Sequence, residues 1–172
     1  MNFYGKVAPN AAVMNGGGIR SNKKRPAGSV TVSDVISWDP FGNIITVIEA
    51  DGVSLKKFLQ YELVQSCGAT SVISSSFYTY NAGSYFHYVC QGLNKGELKK
   101  LTRNNANGTS IEDSDKVILA ISDYWETTFR QAGGTAKFII NPKGAPSNVL
   151  LEAYIDSNKG DICPSTTSYN FV

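Results

Sequence analysis

The chain has 172 residues, 42% of them hydrophobic and 17% charged, with a formal net charge of +2. This length suits one soluble domain burying on the order of 70% of the surface its unfolded form exposes, and the composition excludes a disordered chain. So small a charge excludes a polyanion-binding protein that works through its overall field, and no stretch approaches the ~20 apolar residues of a membrane span.

Met1 to Lys6 has neither the basic nor the apolar region of a signal peptide. Ala11 to Met14 is a short apolar run entering a glycine turn, Asn15-Gly16-Gly17-Gly18-Ile19-Arg20. Without Cβ atoms that turn can take positive φ and let a ligand come close. Its amides can form an anion-binding concavity, and Arg20 adds a planar fork matched to carboxylate or phosphate. A turn that merely closes a strand is the commoner reading of three glycines taken alone. Lys23, Lys24 and Arg25 form a basic run of the kind usually found on a solvated loop. Ser33-Asp34 predicts a helix start with a capping side chain, and Pro40 ends that helix. Asn43 to Ala50 is rich in β-branched residues and predicts a buried strand. After a turn at Asp51-Gly52, Ser54 is expected to cap a helix running to about Val64. Its Leu55, Phe58, Leu59 and Leu63 share one apolar face, while Lys56 and Lys57 point away.

From Ser71 the pattern becomes aromatic with period two. Phe77 to Tyr80 and Tyr85 to Cys90, separated by Asn81 to Ser84, predict a hairpin. Leu93 to Arg103 fits either a helix or a twisted strand, and Asn104 to Gly108 is a turn. Val117 to Ile121 is a second apolar strand, Leu150 to Ile155 a short helix, and residues 161–172 a weakly ordered tail. The fold class is α/β (α+β): two or three helices on a mixed sheet of four or five strands, in a single domain over residues 1–160. Cys67, Cys90 and Cys163 allow at most one disulfide and leave a thiol over. They do not have zinc-knuckle spacing and are expected to be buried structural cysteines. Asn107-Gly108-Thr109 is a glycosylation sequon, relevant only to a chain secreted by a eukaryote.

The glycine turn acquires a context downstream. Arg20 is followed by Pro26-Ala27-Gly28, Val30-Thr31-Val32, Asp34-Val35, Pro40-Phe41-Gly42-Asn43 and Gly52-Val53-Ser54-Leu55. In that order and spacing these residues resemble the C-terminal domain of the 5'-nucleotidase family, the secreted or periplasmic nucleotide hydrolases. The match is dense from Asn15 to about Leu59, roughly a quarter of the chain, and then thins to a compatible order of elements. The resemblance implies a 5'-nucleotidase C-terminal-like domain that holds the nucleoside and delivers its phosphate, by a hinge motion, to a separate metallophosphoesterase domain. It places substrate contact on Asn15 and Arg20, with Gly17, Gly18 and Asn43 in the same two motifs, and base stacking on Phe41. An aromatic platform of this kind is worth ~1–3 kcal/mol per stacked base; the alternative for Phe41 is a core residue at a proline turn. The family's second stacking aromatic sits in a G-G-D-G-[FY] motif that is missing here. Phe129 falls near its expected position, with Tyr124 and Trp125 as alternatives. An upstream helix carrying another substrate arginine is also implied, and this chain begins too late to contain it.

The chemistry is bounded by what is missing. Family members hydrolyse phosphoesters with a two-metal centre, which needs several converging aspartates and histidines. This chain has one histidine, His87, in a strand-patterned aromatic run, where a packed or surface role is the commoner one. There is no G-x-S-x-G elbow, and neither Ser76 nor Cys90 has a recognisable base beside it. The expectation is a nucleoside- or nucleotide-recognition domain of a hydrolase of nucleotide catabolism, inactive alone, with no catalytic residue, metal ligand or cofactor of its own. Two divalent metals are expected in the N-terminal domain, present in cis or trans, and the parent protein is expected to be extracellular or periplasmic. Neither nucleic acid nor a membrane span is expected. One alternative is a stand-alone nucleoside or small-ligand module that has lost the enzyme, which the missing motif favours. Another is a protein-interaction domain using the aromatic surface around Tyr85 to Tyr88, against which Asn15, Arg20 and Phe41 together argue.

Overall fold

The computed structural model describes residues 8–14, 16–21, 26, 28–67, 84–103, 107–140 and 144–158. The apolar run before the glycines forms strand β1 (Ala11–Val13), and the two β-branched runs form β2 (Ile45–Asp51) and β5 (Lys116–Ser122). With β6 (Ala136–Ile140) they make a four-stranded sheet in the order β1-β5-β2-β6. β1 runs parallel to β5, and β2 is antiparallel to both β5 and β6, so the sheet is mixed as expected. β2 has neighbours on both edges, and its Thr46, Val47, Ile48 and Ala50 are all buried. β6 is a further strand that the sequence pattern does not announce.

Helix α2 (Gly52–Ser66) follows β2 and lays Leu55, Phe58, Leu59 and Leu63 inward, the face its periodicity predicts. Helix α3 (Asp123–Gln131) follows β5 and is likewise additional to the expected elements. Its Trp125 and Phe129, four residues apart, pack on Phe58 with ring centroids 5.3 and 5.6 Å away. These rings join Ile48, Val117, Leu119 and Ile121 of the sheet in one core. Helices α1 (Val32–Trp38) and α4 (Ser147–Ser157) contact each other, and α4 begins three residues earlier than expected.

Two helix starts differ from expectation. In each, the cap is the upstream residue with extended backbone, whose side chain can turn back onto the free N–H groups of the first turn. Thr31, not Ser33 or Asp34, caps α1: the Asp34 N–H donates to Thr31 Oγ1 (3.2 Å) and the Thr31 N–H to Asp34 Oδ2 (2.9 Å), a reciprocal box. Asp51, not Ser54, caps α2 by accepting the Ser54 N–H at 2.8 Å. The Ser54 hydroxyl and N–H hold the Asp51 carboxyl below its usual range. That hydroxyl also accepts the Thr135 N–H at 3.0 Å, tying α2 to the approach to β6.

The ambiguous stretch is strand β4 (Gly96–Arg103), antiparallel to β3 (Ser84–Cys90). Tyr88 pairs with Leu98 and His87 with Lys100, so Lys99 is an extra residue in the ladder. A bulge of this kind resets the alternation of faces, which lets Leu98 and Leu101 both pack toward the core although three residues apart. Cys67 at the end of α2 is bonded to Cys90 at the end of β3, with Cα atoms 5.6 Å apart. Cys67 is buried as expected, and the two cysteines form the one disulfide that three cysteines allow. Residues 77–80 of the expected hairpin, Lys23 to Arg25, Cys163 and the tail over 161–172 lie outside the described residues.

Candidate functional site

The site lies at one end of the four-stranded sheet, past the C-terminal ends of β1 and β5 and before the start of β2. After β1 the chain makes a single 3-10 turn at Gly16–Gly18, and two residues later Arg20 is fastened by its N–H to Trp38 O, 2.8 Å away. That bond ties the segment after the glycine turn to the last turn of α1. Helix α1 then ends before Pro40, with the Asp39 N–H donating to Val35 O (3.0 Å). Gly42 takes a φ of +55°, a left-handed conformation open to glycine at little cost. The resulting tight loop leaves Phe41 exposed, at 57%.

The Arg20 guanidinium lies over the Phe41 ring, 5.3 Å from its centroid. This is the separation of a cation–π contact, and both groups are open to solvent. Beside Phe41 a small cleft of about 10 Å³, room for about one water molecule, is lined by Gly18, Asp39, Phe41, Asn43, Ser122 and Ser147 among others. The structure thus brings together Gly18, Arg20, Phe41 and Asn43, with Gly17 in the adjoining turn. Asn15 lies outside the described residues.

Phe129 does not join them. Its ring is fully buried against Phe58, so neither face is open to a base, and the expectation of a stacking role there is corrected. The physical reason is its helical position, four residues after Trp125 on the inward face of α3. Tyr124 points the other way and is 58% exposed. It sits at the start of α3, where the Asp123 N–H donates to Ile44 O at 2.9 Å, one residue from Asn43.

Asp39 and Ser147 carry little that would single them out in the sequence. The only signal for Asp39 is its place immediately before P-F-G-N. Ser147 lies more than a hundred residues further along and carries no local signal. His87 is exposed on β3 opposite Lys100. Among the described residues no group of three or more His, Cys, Asp or Glu side chains converges, so these residues do not fit a two-metal centre. No helix among them is long and apolar enough to cross a membrane.

Comparison with known proteins matches this arrangement to a family. The pattern of the 5'-nucleotidase, C-terminal domain family covers residues 4–134. Endonuclease YhcR of Bacillus subtilis (strain 168) is 28% identical over 116 residues, which are 67% of this chain and 8% of that protein. Among solved structures, a 5'-nucleotidase precursor from Thermus thermophilus superposes with a TM-score of 0.67 at 18% identity, over 88% of this chain and 29% of that one. The NAD nucleotidase of Haemophilus influenzae does so with a TM-score of 0.56 at 19% identity, over 86% and 27%. A putative 5'-nucleotidase from Staphylococcus aureus gives 0.61 at 15% identity, over 91% and 32%. The likeness to the three structures is one of fold, and the chain spans less than a third of each. With the family pattern running through the glycine turn, the P-F-G-N loop and three of the four strands of the sheet, the chain belongs to the 5'-nucleotidase C-terminal domain family.

Proposed function

We propose that this chain is the nucleoside- or nucleotide-recognition domain of a phosphoester hydrolase whose bond-breaking chemistry resides in a separate, metal-bearing domain. The observation that carries the reading is the Arg20 guanidinium stacked on an exposed Phe41 at the rim of the cleft. Phe41 offers a π face to a purine, and Arg20 extends that surface while presenting several donors to sugar or phosphate oxygens. Gly18 keeps the backbone low beside them. Tyr124, rather than Phe129, takes the part of the second aromatic.

At about 10 Å³ the cleft is far smaller than the ~300–1,000 Å³ of a typical small-molecule pocket, so the ligand rests on its rim rather than inside it in this reading. The platform at its rim leaves one face of a bound base uncovered, and the metal-bearing domain, in cis or in trans, covers that face in this reading. The metals of that domain would activate water and stabilise the leaving oxygen; the residues of this chain bind and orient. The Cys67–Cys90 disulfide favours an oxidising, exported location for the parent protein. The Thermus and Haemophilus structures, a 5'-nucleotidase precursor and an NAD nucleotidase, favour a nucleotide as the ligand.

Calorimetric titration of the chain with adenosine and with AMP tests the reading. Saturable binding that weakens about 5- to 150-fold in Phe41→Ala, the equivalent of one stacked base, supports it. A folded wild-type protein that binds neither ligand overturns it.

A further inference from the structure

We propose that Ser147 and Asp39 are a positioning pair that holds the loop carrying Phe41 in its binding geometry; the inference rests on the recognition role given to Phe41 above. Phe41, 57% exposed, has little packing of its own to fix its ring. Beyond the Arg20 contact on one face, its position comes from the backbone of Pro40 to Asn43. Both ends of that loop are gripped by the first turn of α4.

At the leading end, the Ser147 hydroxyl donates to Asp39 Oδ2, and Asp39 is only 5% exposed. At the trailing end, the Ser147 N–H donates to Asn43 O at 2.9 Å. Between them, the Asn148 side chain closes over Gly42, where a Cβ would stand 3.2 Å from Asn148 Nδ2. The Ile45 N–H continues the grip by donating to Ala145 O at 3.0 Å. One residue, Ser147, therefore holds both ends of a four-residue loop through its side chain and its main chain. Residues 144–148 also lie beyond residue 134, where the family match ends. Releasing the hydroxyl contact frees the loop in the unbound protein, and the ligand must then order it on binding.

The test is AMP binding by calorimetry together with amide hydrogen exchange at residues 42–45 in wild type, Ser147→Ala and Ser147→Thr. Ser147→Ala is expected to weaken AMP binding about 3- to 10-fold, the equivalent of one hydrogen bond, and to speed exchange in the loop. Ser147→Thr keeps a hydroxyl and is expected to restore both. Asp39→Ala should match Ser147→Ala, and the double variant should add no further loss, as two members of one contact do. A merely structural serine would lower the melting temperature without changing the affinity of the folded protein. Unchanged affinity in Ser147→Ala, additive losses in the double variant, or no rescue by threonine overturns the pairing while leaving AMP recognition intact. A wild-type protein that binds neither AMP nor adenosine overturns the recognition reading and this role together.

Discussion

Phe41 and Phe129 carry the same side chain to opposite ends. Phe41, between a proline and a left-handed glycine, belongs to no regular face and stands out into solvent. Phe129 belongs to a helical stripe and is sealed against Phe58. Gly134 follows from that sealing, because a Cβ there would come within 2.4 Å of the Phe129 ring. Truncation should separate the two roles. Phe129→Ala is expected to cost about 3–5 kcal/mol of stability through the cavity it leaves. Phe41→Ala should cost little stability and lose ligand affinity instead. Urea denaturation of both variants beside wild type checks this, and a Phe41→Ala loss as large as that of Phe129→Ala would make Phe41 a core residue. The punctuation around Phe41 made its exposure legible in the sequence. The fate of Phe129 was hidden because its partner stripe is just two residues long, Trp125 and Phe129, within a helix of mixed polar composition.

At the scale of elements, the parts that could be read were those whose apolar residues repeat with one period. β2, β5 and α2 are of this kind, and each sits where its pattern implies. β4 could not be read because its bulge at Lys99 gives a strand the three-residue spacing of a helix. The disulfide could not be read either, since three cysteines allow three pairings and spacing does not choose among them. In the fold the choice is made by docking. The Asn94 N–H donates to Cys67 O at 2.8 Å, and Gly96 lies so close to α2 that a Cβ would stand 2.3 Å from Leu63 O. The turn between β3 and β4 is thereby held at the last turn of α2, and the Cys67–Cys90 bond fastens it there across a sequence separation of 23. Reduction, or Cys67→Ser with Cys90→Ser, is expected to lower stability by about 2–4 kcal/mol. Melting curves with and without a thiol reductant report the change; identical curves would mean that docking alone holds the hairpin.

For the molecule as a whole, one buried acid is expected to set how stability varies with pH between about 4.5 and 7. Glu62 lies on the same side of α2 as Phe58 and Leu59, and its residue is 8% exposed. Burial pushes its carboxyl up from 4.5 to about 7, because the charged form loses its hydration. In the unfolded chain the same group loses its proton near the ordinary value. Between about pH 4.5 and 7 the folded state therefore binds more protons than the unfolded state, and stability falls as pH rises through that window. The acid limb has a different source. Asp51, held low by Ser54, contributes stability above its unfolded value and loses it as pH falls through its folded value. The two effects occupy separate ranges, so the middle range tests Glu62 with little interference from Asp51. Urea denaturation should find the wild-type protein more stable at pH 5 than at pH 8 by on the order of 1–3 kcal/mol. Glu62→Gln, which keeps the size and removes the charge, should abolish the difference by raising stability at pH 8. A wild-type protein equally stable at both values would mean that the Glu62 carboxylate keeps its hydration within the fold, and a slope surviving in Glu62→Gln would place the titrating group elsewhere.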